Sequence, residues 1–161
     1  GGSGGDSITI GTGATSGAGF TNYISGDLAE LKQDADGNLI SFETVEETIS
    51  GDDTITTGAG AGTDFILGGI GKDKITSGNG DDTILGDLGI IVPKGSDGAD
   101  VKGRNGNLDT AADDEINAGN GNNVVIGGSG ADTITTGSGA DYISGDLAEL
   151  TRKADGTLVL F

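Results

Sequence analysis

Apolar residues in much of this chain fall one at a time at a regular spacing. Ile75 and Ile84 lie nine residues apart, each inside a short polar run: Asp73-Lys74-Ile75-Thr76 and Asp82-Thr83-Ile84-Leu85. The same solitary position recurs at Ile8, Ile24, Ile55, Ile66, Ile116, Val125, Ile134 and Ile143. Successive side chains of an extended segment point to opposite faces, so this residue faces one way and its two neighbours the other. The pattern predicts short strands of the form D-x-U-x, where U is apolar, divided by Gly-rich turns and sharing a thin core of U residues.

Each strand is the second half of a nine-residue motif, G-G-x-G-x-D-x-U-x. Residues 1–9, 68–76 and 127–135 match it in full, and 136–144 lacks only the first glycine. Looser copies end in Asp53-Thr54-Ile55, Asp64-Phe65-Ile66, Asp114-Glu115-Ile116 and Asn123-Val124-Val125. Glycines at the motif's start permit the left-handed backbone of a tight turn and leave carbonyls exposed on one side. Two motifs make one coil of the chain, so successive motifs alternate between two sides. The expected fold is all-β: a right-handed parallel β-roll, a β-solenoid with two nonapeptides per turn. One side carries Asp6, Asp53, Asp73, Asp114 and Asp132, the other Asn22, Asp64, Asp82, Asn123 and Asp141. Stacking then brings Asp53 near Asp73, Asp64 near Asp82, Asp114 near Asp132 and Asn123 near Asp141.

A longer period overlies the short one. Residues 23–31 (YISGDLAEL) return unchanged 119 residues later at 142–150, and Gly26-Asp27-Leu28 recurs as Gly86-Asp87-Leu88 between them. The unit is about 60 residues, and each copy is interrupted after Gly-Asp by an insert. The predicted organisation is roll at 1–26, a hairpin insert at 27–52, roll at 53–86, a looser loop or hairpin insert at 87–113, roll at 114–145 and a truncated insert at 146–161. Because Phe161 lies part-way through a third unit, the chain is expected to be a segment of a longer array. In the first insert, 28–33 and 39–45 read as strands around a turn at 34–38; in the second, Pro93 and the Gly-Asp turns of 94–107 suggest less order.

The outward strand positions differ by side. One face shows Ser7, Thr9, Thr54, Thr56, Thr76, Thr133 and Thr135, the other Tyr23, Phe65, Leu67, Leu85, Val124, Ile126 and Tyr142. An open apolar ladder of that size would be sticky. Either the inserts cover it with Leu28, Leu31, Leu39, Phe42, Ile90, Ile91 and Val92, or a neighbouring protein or second copy packs on it. The first is the favoured expectation. The threonine column has the look of an ice-binding surface, but Lys74, Glu115 and Asn117 interrupt it. Asp34, Asp36 and Asn38 imitate an EF-hand loop, yet Leu39 stands where glycine is needed and Val45 where the bidentate Glu belongs.

Outside the inserts the chain closely resembles the RTX (repeats-in-toxin, hemolysin-type) calcium-binding nonapeptide repeats. The resemblance implies several Ca²⁺ ions, ligated between adjacent turns by the sixth-position Asp6, Asp53, Asp64, Asp73, Asp82, Asp114, Asp132 and Asp141. Loop carbonyls of Gly69, Gly71, Gly78, Gly80, Gly128, Gly130, Gly137 and Gly139 would complete the sites. Asn22 and Asn123 depart from the pattern and are expected to make weaker or empty sites, and Asp27, Asp87 and Asp146 are weaker candidates.

Composition narrows the functional classes. With 26 acidic and 8 basic residues the net charge is −18, which disfavours nucleic acid and anionic lipid as partners and favours divalent cations. The absence of His and Cys removes imidazole bases, thiol nucleophiles and zinc sites. No enzyme activity is expected, since the repeat already explains most of the acids. Only 33% of residues are hydrophobic, and one buried side chain in nine cannot offset chain entropy of ~1.5 kcal/mol per residue. Folding is therefore expected to depend on metal. No apolar run approaches the ~20 residues needed to span a bilayer. The expected role is a calcium-rigidified segment of a secreted or cell-surface protein, such as an adhesin stalk or surface-layer subunit. The alternative is an accessory roll of a type I-secreted toxin or exoenzyme.

Overall fold

The computed structural model describes residues 1–11, 20–45, 48–60, 62–92, 100–104, 112–153, 155 and 157–161. These residues form strands and turns without a helix, and so include no helix able to cross a membrane.

Five three-residue strands make one parallel sheet, in the order β1 (Ser7–Thr9), β5 (Thr54–Thr56), β7 (Lys74–Thr76), β11 (Glu115–Asn117) and β13 (Thr133–Thr135). A second parallel sheet has the order β2 (Thr21–Ser25), β6 (Thr63–Leu67), β8 (Thr83–Leu85), β12 (Val124–Gly128) and β14 (Tyr142–Asp146). The two sheets alternate along the chain, as expected if successive motifs change sides.

Register sets the core. Ile8, Ile55, Ile75, Ile116 and Ile134 lie over one another in the first sheet; Ile24, Ile66, Ile84, Val125 and Ile143 do so in the second. Ile24, Ile55, Ile66, Ile75, Ile84, Ile116 and Val125 pack into one buried cluster between the sheets. Burying such a side chain contributes about 1.5–3 kcal/mol. Ile143 departs from the expected core: it is 43% exposed, because β14 is the last strand in its sheet and nothing among the described residues covers its far side.

The inserts build a third sheet, antiparallel, in the order β16-β15-β10-β9-β4-β3. Its hairpins are β3 (Ala29–Gln33) with β4 (Leu39–Thr44), β9 (Gly89–Ile91) with β10 (Val101–Gly103), and β15 (Glu149–Arg152) with β16 (Leu158–Leu160). Neighbouring hairpins are joined by the pairs Phe42↔Ile91 and Val101↔Leu150. The second insert thus contributes a hairpin as the others do; Pro93 and most of the 94–107 turn, where a looser course is expected, lie outside the described residues. Cross-strand ion pairs tie it to the third, Lys102 to Glu149 at 3.2 Å and Arg152 to Asp100 at 3.1 Å.

This sheet lies on the apolar outer face of the second parallel sheet. Phe42, Ile91, Val101 and Leu150 bury Leu67, Leu85, Val124 and Ile126 in a second core, with Tyr23, Phe65 and Tyr142 partly buried beside them. Tyr23 stacks on Phe65 at 5.4 Å and meets Phe42 edge-on at 5.7 Å. The face that could have taken a neighbouring protein is therefore occupied by the chain's own inserts. Leu28 and Leu31, expected in this cover, stay 43% and 41% exposed, and Val101 and Leu150 serve instead. Leu31 remains open because β3 is an edge strand with no outer neighbour among the described residues.

Candidate metal centre

The functional side chains sit where the chain crosses from the second parallel sheet to the first. Asp6, Asp53, Asp73, Asp114 and Asp132 each stand immediately before a strand of the first sheet, so the ladder that stacks the isoleucines also stacks the acids. One oxygen of each of four carboxylates supports the turn beside it. The N–H groups of Asp6, Asp53, Asp73 and Asp114 donate to Oδ1 of Asp53, Asp73, Asp114 and Asp132 at 2.7, 2.8, 2.8 and 3.0 Å. The other oxygen has no such use. Oδ2 of Asp53, Asp73, Asp114 and Asp132 is buried without a hydrogen-bond partner.

Those free oxygens face backbone carbonyls across a space kept open by glycine. A β-carbon on Gly26 would strike both Asp53 Oδ2 and the Gly68 carbonyl oxygen. The arrangement repeats at Gly68 with Asp73 and the Gly86 carbonyl, at Gly86 with Asp114 and the Gly127 carbonyl, and at Gly127 with Asp132 and the Gly145 carbonyl. At Gly1 the partners are Asp6 and the Gly26 carbonyl. A row of similar pockets thus runs along this edge, each with a carboxylate oxygen and the carbonyl of the adjoining turn.

A buried carboxylate without compensation resists ionisation. Along this edge burial is the largest cause of every raised value, and neighbouring acids add to it. Asp73 is pushed up to about 9, with Asp114, Asp53 and Asp27 contributing. Asp114 is raised to about 7, Asp27 and Asp87 to about 6, and Asp53 and Asp132 are raised as well. Unpartnered buried oxygens, glycine-lined pockets and an all-oxygen donor set together fit a hard divalent cation such as Ca²⁺. Among the described residues no three acids converge on one point, so each pocket would draw on carbonyls as well as carboxylates.

The opposite edge mixes acids with amides, and its Asp82 Oδ2 is likewise buried without a hydrogen-bond partner. Asp64 and Asp82 are buried, and the N–H of Asp64 donates to Asp82 Oδ1 at 2.9 Å. Elsewhere amides take part in the ladder: Asn22 Nδ2 donates to Asp64 Oδ1 at 2.7 Å, Asn123 Oδ1 accepts from the Asp82 N–H at 3.1 Å, and the Asn123 N–H donates to Asp141 Oδ1 at 2.9 Å. At Asp64 the Asn22 amide supplies a donor to a carboxylate oxygen. Asp82 is itself raised to about 6, chiefly by burial.

The glycines singled out by the motif take turn conformations. Gly69, Gly71, Gly128 and Gly130 have φ of 121°, 136°, 126° and 132°, and on the opposite edge Gly80 and Gly139 have 144° and 149°, whereas Gly78 and Gly137 are not in the left-handed region. The carbonyls facing Oδ2 of Asp53, Asp73 and Asp114 belong to the first-position glycines Gly68, Gly86 and Gly127, which are not among the carbonyls expected from the motif. A signal was present: where an insert begins, at Gly26-Asp27, Gly86-Asp87 and Gly145-Asp146, the second glycine is lost and the first is kept. Asp27 and Asp87 are buried and Asp146 is exposed.

The loop resembling an EF-hand is an Asx turn. Asp34 Oδ1 accepts the N–H groups of Asp36 and Asn38 at 2.9 and 2.8 Å, and Oδ2 accepts Asn38 Nδ2 at 2.8 Å. The Asn38 side chain, followed by its backbone, holds this carboxyl below its ordinary range.

In comparison with known proteins, the family described as the RTX calcium-binding nonapeptide repeat matches residues 50–61, 59–90 and 109–147 in 4 copies. These stretches include Asp53, Asp64, Asp73, Asp82, Asp114, Asn123, Asp132 and Asp141. No curated protein and no solved structure matches the chain.

Proposed function

From the premise that this chain belongs to the RTX calcium-binding nonapeptide repeat family, we propose that it is a calcium-rigidified β-roll segment of a secreted or cell-surface protein, with a structural role. The observation that carries this reading is the row of buried, unpartnered Oδ2 atoms of Asp53, Asp73, Asp114 and Asp132 along one edge. Asp6 continues the row; Asp64, Asp82 and Asp141 would serve the opposite edge, with Asn22 and Asn123 weakening it.

Calcium bound there would supply the positive charge that allows these carboxylates to remain ionised while buried. The chain's own part is to hold one carboxylate oxygen in the backbone ladder and present the other beside a glycine carbonyl. In the unfolded chain these oxygens are dispersed and hydrated, so cation binding favours the stacked state. Calcium outside the cell would then stiffen a chain that is loose where calcium is scarce. The insert sheet supports a structural role, because it covers the apolar face and links successive turns through hairpin pairs and ion pairs.

The test is far-UV circular dichroism of the chelator-treated chain during a Ca²⁺ titration, with Mg²⁺ as control, since Mg²⁺ prefers small octahedral sites that retain water. A cooperative coil-to-β transition with Ca²⁺ alone is expected. An unchanged β spectrum in chelator would overturn the reading.

A further inference from the structure

Asp27 and Asp87 stand where the plain turns have glycine. Gly26-Asp27 and Gly86-Asp87 occupy the motif positions of Gly68-Gly69 and Gly127-Gly128. Each lies at the root of an insert, with one residue between it and the first strand of its hairpin, β3 or β9. Neither behaves as a surface acid, since Asp27 is 3% and Asp87 8% exposed.

Both reach into the plain turn stacked beside them. Asp27 Oδ2 accepts the Ile70 N–H at 2.7 Å, and Asp87 Oδ2 accepts the Ser129 N–H. The receiving turns have left-handed glycines there, Gly69 and Gly128, and a β-carbon on either would strike the incoming carboxylate. An aspartate in one turn therefore requires glycine in the next, and the insert-bearing and plain turns interlock.

Anchoring to an N–H needs an acceptor, which asparagine would supply without charge. Here a charged group is used twice, beside other buried acids. After Oδ2 is committed, Oδ1 of Asp27 remains buried with no partner, as Oδ2 of Asp53 and Asp114 does. Asp87 repeats the motif position and burial of Asp27, but it also meets the Ser129 side chain and has no such orphaned oxygen. An unpaired buried carboxylate oxygen is costly unless a cation meets it.

We propose that Asp27 and Asp87 are additional calcium ligands, giving each insert-bearing turn one more carboxylate than a plain turn. The proposal rests on the calcium reading above and extends it. Affinity for Ca²⁺ rises with the count of ligand charges, so these sites fill first. Because each insert starts beside such a ligand, filling also fixes the hairpin roots and seats the insert sheet on the apolar face.

Two double variants of the full chain separate the roles. D27N/D87N keeps the acceptors for Ile70 and Ser129, and D27G/D87G restores the plain motif, which the neighbouring turns already show to be foldable. Each is stripped with chelator and titrated with Ca²⁺, read by calorimetry and by near-ultraviolet circular dichroism of tyrosine. Tyr23 reports seating of the insert through its contacts with Phe65 and Phe42. In both variants the tightest binding class is expected to weaken about 10–100-fold, the range for losing a ligand or its support, and the tyrosine signal to move to higher calcium. Asn variants with unchanged stoichiometry and affinity would overturn the proposal, leaving Asp27 and Asp87 as anchors alone. A wild-type chain that binds no calcium would instead overturn the underlying reading, and this proposal with it.

Discussion

The Asp53 N–H lies 2.8 Å from Oδ1 of Asp73, while Oδ2 of the same Asp73 carboxylate is buried with no partner. One side chain thus has two tasks, one in the backbone ladder and one facing an oxygen-lined pocket. Substituting Asp73→Asn separates them, because the amide oxygen can still accept from Asp53. In chelator, circular dichroism should show the variant with at least as much β-structure as wild type. Its gain in stability on adding Ca²⁺ should be smaller by about 2–3 kcal/mol, the linkage energy of one site at ~100 times its dissociation constant. An undiminished calcium gain would remove Asp73 from the ligand set.

Acidity should replace calcium in part. Asp73, Asp114, Asp27 and Asp87 are raised by burial to about 9, 7, 6 and 6 from 3.8. Between the ordinary carboxylate value and these values the folded chain holds more protons than the unfolded one. The metal-free fold therefore loses stability as pH rises through that window. Circular dichroism in chelator should show most β-structure near pH 4–5 and a progressive loss toward pH 9, with saturating Ca²⁺ flattening the profile. A metal-free fold that instead strengthened with rising pH would contradict these assignments.

Space at the pockets can be probed through glycine. A β-carbon on Gly68 would collide with the Gly86 carbonyl oxygen and Asp73 Oδ2, whereas one on Gly60 meets nothing within 4 Å. Gly68→Ala should lower both calcium affinity and the calcium-loaded melting temperature, while Gly60→Ala should leave both near wild type. Equal behaviour of the two would show that the pocket has no steric requirement.

The insert cover should contribute to stability independently of metal. Leu85 is 1% exposed between the second parallel sheet and the insert sheet. Leu85→Ala should cost about 2–5 kcal/mol in calcium-saturated denaturant unfolding, the usual range for a large-to-small core change. Thr9→Ala, on the exposed face of the first sheet, should stay within about 0.5 kcal/mol. A near-neutral Leu85→Ala would mean that the inserts seat only loosely.

Much of the architecture is legible in the motif. The D-x-U-x spacing places Ile75 and Ile84 in different sheets, and the two-motif coil foretells the neighbours Asp64 and Asp82, Asp114 and Asp132, and Asn123 and Asp141, which are hydrogen-bonded. What escaped lies beyond a repeating local pattern. Ile143 has the core signature, yet its exposure depends on which strand ends the sheet. Leu31 and Leu150 belong to identical segments, yet one is 41% exposed on an edge strand and the other fully buried between hairpins. No local rule tells the two copies apart.

By itself the sequence determined the strands, their alternation between two sheets and the columns of stacked acids, because each follows from side-chain period and glycine placement within a few residues. Tertiary structure alone decided which carboxylate oxygen stays unpaired, that first-position glycine carbonyls face it, and that three hairpins join into one sheet over the apolar face. Those outcomes depend on groups brought together across long stretches of chain, 41 residues for Asp73 and Asp114 and 43 for Asp27 and Ile70. Their contacts exist only once the turns have stacked.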